Sequence, residues 1–318
     1  MRRIGFWAAA AMAWAMAAGG ATQVVDLRTG DGAVRRGSDG FGAACLRSTS
    51  LSAGAAAAER LSPGGTVEFR LFRDEEIRVK IGERMESPLG GDAFLGGGVG
   101  GGGAKNAVVL QTAEGLTVDI QDYLRGRVYT IVSDAEGVAV REFDPSRETV
   151  VPTAGVVPAC AEEKDAVAGR GAGARAAGDQ ASTVLDVLVA YDKPAEEWAR
   201  RNGGGTTNFA TMAVQKMNTA LENNGLASSF RFRLVGVETV AAEGGADFDG
   251  VLDATREGTG AWAAVKAKRD EVGADVVTTM IDTGSASGVT GLGYSLERTP
   301  VSGFSESAYN VCAVRAVA

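Results

Sequence analysis

Residues Met280 to Gly288 read MIDTGSASG, an apolar run that ends in Asp282-Thr283-Gly284-Ser285. An aspartate on such a loop can act as an acid or base in peptide hydrolysis when a second, matching loop brings up a carboxylate to share its proton. No second Asp-Thr-Gly or Asp-Ser-Gly occurs in the 318 residues. Asp, Gly and Ser are also the material of turns, and the stretch reads as the turn that ends a strand. Histidine is absent altogether. That excludes a Ser-His-Asp or Cys-His nucleophile and any metal site built on imidazole within these residues. Carboxylates, hydroxyls, lysines and thiols remain. The thiols are Cys45, Cys160 and Cys312, scattered and without a Cys-x-x-Cys pair. An odd count leaves at least one of them free or paired outside this chain.

A second motif lies in GGDAFLGGGVGGGGAKN, where Gly98 to Gly103 fits G-x-G-x-x-G and Lys105 follows. A phosphate-binding loop needs adjacent Gly-Lys and then Ser or Thr, but Ala104 intervenes and Asn106 comes next. The dinucleotide fingerprint needs a helix to open at the glycines, whereas AVVLQT reads as a strand. The glycines are therefore expected to form a hairpin loop. A net charge of -8 argues against nucleic acid as a partner.

The elements that would position such residues fall into segments. Arg2 and Arg3 precede an apolar run from Ile4 to Ala18, with small residues after it. Residues 1–21 thus read as a signal peptide, which implies a secreted or periplasmic protein. The alternative is a membrane anchor, but a spanning helix needs about 20 apolar residues and this run is shorter. Residues 22–65, rich in Gly, Ala and Ser, are expected to be loosely structured. In 66–157, TVEFRLF, EIRVKIG, LTVDI, RVYTIV and GVAVREF alternate apolar and polar residues, the pattern of a small antiparallel β domain. Residues 158–182 lack periodicity and read as a Gly/Ala linker, with Arg170 and Arg175 as exposed cleavage points.

In 183–318 the period changes. VLDVLVAY, bracketed by the linker and Pro194, FRFRLVGVETV and DVVTTMI read as buried strands, separated by helical patterns over Phe209 to Leu221 and Trp262 to Val272. Asn223-Asn224-Gly225 and Gly273 read as their stops. Strand, helix, strand, helix, strand predicts a mostly parallel α/β sheet. The whole chain is thus expected to be an α+β protein of two domains, and an aspartic protease, which needs a β scaffold, is the weaker reading of Asp282.

The order and wording of the later elements resemble a known family. TVLDVLVAYDKPA, the helix with Asn218 and Asn223-Asn224-Gly225, the Arg269-Asp270 pair before GADVV, GLGY at Gly291 to Tyr294, and AYNVCAVRAVA look like the N-terminal part of a metzincin zinc peptidase domain. Within that clan they are most similar to secreted bacterial reprolysin-like enzymes, the group that includes peptidyl-Asp metalloendopeptidases. The resemblance covers roughly Thr183 to Ala318, and the β-rich segment before it resembles the propeptides of such enzymes. It implies a zinc endopeptidase acting on protein or peptide substrates, with zinc held by H-E-x-x-H-x-x-G-x-x-H. In the family that helix follows the strand matched by AYNVCAVRAVA, so the ligands are expected beyond Ala318 and no residue given is assigned as ligand or base. The given residues alone are then expected to be an inactive fragment that binds no catalytic zinc.

By the same resemblance, Gly291, Leu292, Gly293 and Tyr294 form the edge strand on the cleft rim where extended substrate adds. An ordinary edge strand or loop is the alternative. Cys160 is a possible latency cysteine, offering a thiolate to the zinc, or else an ordinary or disulfide-forming cysteine. Cys312 has a partner in the missing part as one option. A different class of function also stays open: a complete, non-catalytic exported binding protein that presents the Tyr294 edge.

Overall fold

A computed structural model of the chain describes residues 22–28, 35–36, 44–85, 91–99, 105–147, 183–243, 245, 247–283, 291–293 and 308–317. Residues 1–21, read as a signal peptide, residues 158–182, read as a linker with Cys160, Arg170 and Arg175, and Gly284, Ser285 and Tyr294 lie outside the described residues. No helix among the described residues is long and apolar enough to cross a membrane. The chain divides into two compact units, one holding the strands from Thr22 to Phe143 and the other the elements from Thr183 onward.

The first unit is a curled, mixed ten-stranded sheet. Its strands are β1 (Thr22–Asp26), β2 (Arg35–Arg36), β3 (Cys45–Ser52), β4 (Thr66–Phe72), β5 (Glu75–Met85), β6 (Asp92–Gly98), β7 (Lys105–Thr112), β8 (Gly115–Asp122), β9 (Arg127–Ser133) and β10 (Gly137–Phe143). Their spatial order is β1-β4-β5-β6-β7-β8-β9-β10-β3-β2. From β4 to β10 each strand pairs antiparallel with the next, as the alternating pattern predicts, and β6 and β7 flank the Gly-rich stretch as a hairpin. Alternate residues, among them Val67, Phe69, Leu71, Ile77, Val79, Ile81, Val118, Ile120, Ile131, Val138 and Val140, build one buried cluster. Each such side chain taken from water contributes about 1.5–3 kcal/mol.

Polar clasps draw the curl together. Arg47 on β3 reaches Asp74 in the β4–β5 turn at 2.6 Å, stacks over the Phe72 ring at 4.0 Å and pairs with Glu142 on β10. Arg125 in the β8–β9 turn holds Glu75 at 2.8 Å. The expectation of a loosely structured 22–65 is corrected here. β1 pairs parallel with β4, β3 pairs antiparallel with β10, and Val25, Leu27, Leu51, Ala56 and Leu61 enter the core. On β3 the buried positions include Ser48 and Thr49, so the strand is stabilised by ladder bonds to distant neighbours and carries no apolar alternation to announce it.

The second unit is a five-stranded sheet with helices. In chain order it runs β11 (Thr183–Tyr191), α1 (Lys193–Asn202), α2 (Thr206–Asn223), β12 (Phe230–Thr239), α3 (Phe248–Glu257), α4 (Ala263–Val272), β13 (Val276–Ile281), β14 (Gly291–Gly293), β15 (Ala308–Ala313) and α5 (Val314–Val317). The spatial order is β12-β11-β13-β15-β14. The first four strands are mutually parallel, and β14 is antiparallel to β15. The continuous apolar run of β11 follows from burial on both faces. Val187, Val189 and Tyr191 pack with Trp198, Phe209 and Val214, while Leu188 and Ala190 pack with Phe248, Leu252, Trp262 and Val265.

The helix stops read from sequence are present. Gly225 and Gly273 adopt φ of +69° and +67°, which only glycine takes without strain. Three helices are additions to the sequence reading, among them the four-residue α5 at the end of AYNVCAVRAVA, which the resemblance matches to a strand. α1 begins directly at Lys193-Pro194, where proline opens a helix instead of bracketing a strand. α3 is ten residues between the caps Asp247 and Gly258.

Candidate functional site

In an open parallel sheet, side chains that do chemistry gather at the carboxyl ends of the strands. Here those ends are Tyr191, Thr239, Ile281 and Ala313, and the residues that follow them are Asp192, Val240, Asp282 and Val314.

Tyr191 is fully buried, and its phenol donates to the Thr206 carbonyl at 3.0 Å. Burial pushes its pKa far above the usual tyrosine value, so it stays a neutral donor. Asp192 is also fully buried. Its Oδ1 accepts the Ala195 N–H at 2.8 Å, capping α1, and the Asp282 N–H at 3.4 Å. Its own N–H donates to the Met280 carbonyl at 3.0 Å. One carboxylate thereby starts a helix and ties the ends of two adjacent strands.

Asp282 is gripped from the other side. Arg315, in α5 just past β15, donates from Nε to Oδ1 at 2.7 Å and from Nη2 to Oδ2 at 2.9 Å. The Asp282 side chain is only 10% exposed. Its hydrogen bonds, working against partial burial, hold the Arg315 guanidinium above its usual pKa. A carboxylate with both oxygens on a guanidinium is not available to share a proton with another acid. The aspartic-protease reading of Asp282 is therefore corrected on geometry: the residue leaves the third strand of a parallel sheet and is locked in a bidentate ion pair.

Gly291, Leu292 and Gly293 form β14 at one edge of the sheet, paired in register with Cys312, Val311 and Asn310. Leu292 packs against the buried cluster under α3 and α4, and the two glycines are exposed. A Cβ at Gly291 would sit 3.2 Å from the Val311 carbonyl, so a bare backbone lets the edge lie close to β15. Among the described residues β14 has β15 as its sole strand neighbour. Such an arrangement can accept a further strand through backbone hydrogen bonds.

The two described thiols are quiet. Cys312 donates to Asn310 Oδ1 at 3.6 Å, and burial raises its pKa, away from the reactive thiolate. Cys45 is buried on β3 and donates to the Arg47 carbonyl at 3.8 Å. The imidazole ligands of the catalytic zinc that the resemblance implies are not among these residues. Histidine is absent from the sequence, and among the described residues no group of three or more His, Cys, Asp or Glu could hold a metal ion.

Sequence reasoning brought Asp282 and the glycine edge into view but missed Asp192 and Arg315. Asp192 had a legible signal, an Asp-Lys-Pro that caps and opens a helix. Arg315 had none, since its partner lies 33 residues away.

No family model and no curated protein matches the sequence. Solved structures similar to the chain include metalloproteinase-II from Bacteroides fragilis, at 12% identity and a TM-score of 0.40, over 80% of this chain and 76% of that one. Another is described as the structure of a chaperone-substrate complex, at 12% identity and a TM-score of 0.31, over 84% of this chain and 28% of that one. Likenesses this distant define neither activity nor substrate.

Proposed function

We propose that the second unit belongs to a zinc-dependent, reprolysin-like endopeptidase, that the first unit is its propeptide, and that residues 1–21 carry the protein out of the cytoplasm. The observation that supports this reading best is the antiparallel edge strand Gly291–Gly293 beside β15 on an otherwise parallel sheet. The resemblance expects its substrate-binding rim at these residues. The chain also turns helical at Val314, after the strand that in the family leads to the zinc-binding helix. The first unit, a sheet with its own core, fits a folded propeptide. The reading requires three imidazoles that the given residues do not contain, so a peptide held on β14 meets no catalytic group among them.

The absence of histidine is also the observation that favours a second reading, an exported binding protein that presents the same edge to a partner. Reading the coding sequence beyond Ala318 separates the two. The peptidase reading expects H-E-x-x-H-x-x-G-x-x-H shortly after it, and a stop codon there sinks that reading.

A further inference from the structure

The sheet of the second unit has two edge strands, β12 and β14, and they are built differently. At the start of β12 outward backbone groups of Phe230 and Phe232 are already taken. The Phe230 N–H donates to the Leu226 carbonyl at 3.2 Å, in the turn after α2. Two residues on, the Phe232 N–H donates to Asn218 Oδ1 at 2.9 Å, and Asn218 Nδ2 donates to the Phe232 carbonyl at 2.9 Å. A strand residue directs its N–H and C=O to the same side, so the Asn218 carboxamide meets Phe232 as the backbone of a neighbouring strand would. The second proton of Nδ2 goes to Gln215 Oε1 at 3.1 Å, which fixes the carboxamide in that orientation. Asn218 and Gln215 are 8% and 3% exposed, so the seal is held inside α2 and not offered to solvent.

We propose that Asn218 is a strand mimic that closes the start of the β12 edge, at Phe232, against pairing with a second copy of this chain. An open edge strand is a template for self-association, and covering it with a helix is one way to blunt it. The closure at Phe232 rests on its own hydrogen bonds and not on the peptidase reading.

Amide exchange and light scattering on the full chain test it. In the wild-type chain the Phe232 amide exchanges as slowly as the amides bonded between β11 and β12. In Asn218→Ala it exchanges roughly tenfold faster, the loss expected for one buried hydrogen bond. That variant also forms concentration-dependent oligomers beyond any the wild type shows. A wild-type Phe232 amide that exchanges at the rate of an exposed edge overturns the proposal even if the variant fails to fold. So does a folded Asn218→Ala chain that associates no more than the wild type.

Discussion

Both oxygens of Asp282 are held by one guanidinium, and the two partners differ in what their loss leaves behind. Arg315→Met takes the guanidinium from a carboxylate that is only 10% exposed, whereas Asp282→Asn leaves a guanidinium that is 35% exposed and can be solvated. Urea unfolding should therefore show Arg315→Met costing about 2–3 kcal/mol and Asp282→Asn about 1 kcal/mol or less. Equal costs would contradict the assigned burial. Tyr129 gives a pH prediction of the same kind. Burial, with Glu142 and Glu75 nearby, pushes its pKa from 10.0 up to about 12, against the pull of Arg125. The folded chain holds this proton more tightly than the unfolded chain does. Its stabilisation is thus complete below pH 10 and is lost as pH rises through about 12. Circular dichroism across that window should show Tyr129→Phe losing less stability than the wild type, and parallel losses would count against the assignment. At this scale the sequence was half legible. Asp282 could be read as a turn residue from its neighbours, but a partner brought in by β15 leaves no local trace.

Elements decide where those residues stand. Asp192 joins the start of α1 to the ends of β11 and β13, so removing it should loosen all three together. Asp192→Ala is expected to cost about 1–2 kcal/mol, the range for a lost helix cap. Faster amide exchange at Ala195 and Asp282 should accompany it, and exchange altered at Ala195 alone would mean that the link to β13 is not real. The periodic segments were readable because each has one buried face or two, as β4, β5, β11 and α4 do. β1 and β3 were not readable, since strands held by β4 and β10 can fill inward positions with Ser48 and Thr49. α1 was hidden by Pro194, a residue that ends a strand and opens a helix with equal ease. The edge strand β14 is three residues long, too short for periodicity, and only the family resemblance pointed to it.

At the scale of the whole molecule, the two units are each built on their own sheet, and neither supplies an imidazole. The given residues provide a core for the first unit, a parallel sheet with a one-sided edge for the second, and a start to α5 pinned by Arg315 and Asp282. The proposed peptidase reading needs imidazole ligands for its zinc, and none of the 318 residues is histidine. Metal-dependent casein hydrolysis, with zinc content measured on the same samples, tests this most directly when the 318-residue chain is compared with the product of the complete coding sequence. The account predicts neither zinc nor hydrolysis for the 318-residue chain, and stoichiometric zinc with chelator-sensitive hydrolysis for the complete product. Hydrolysis by the 318-residue chain, or a complete product that holds no zinc and cleaves nothing, would contradict it.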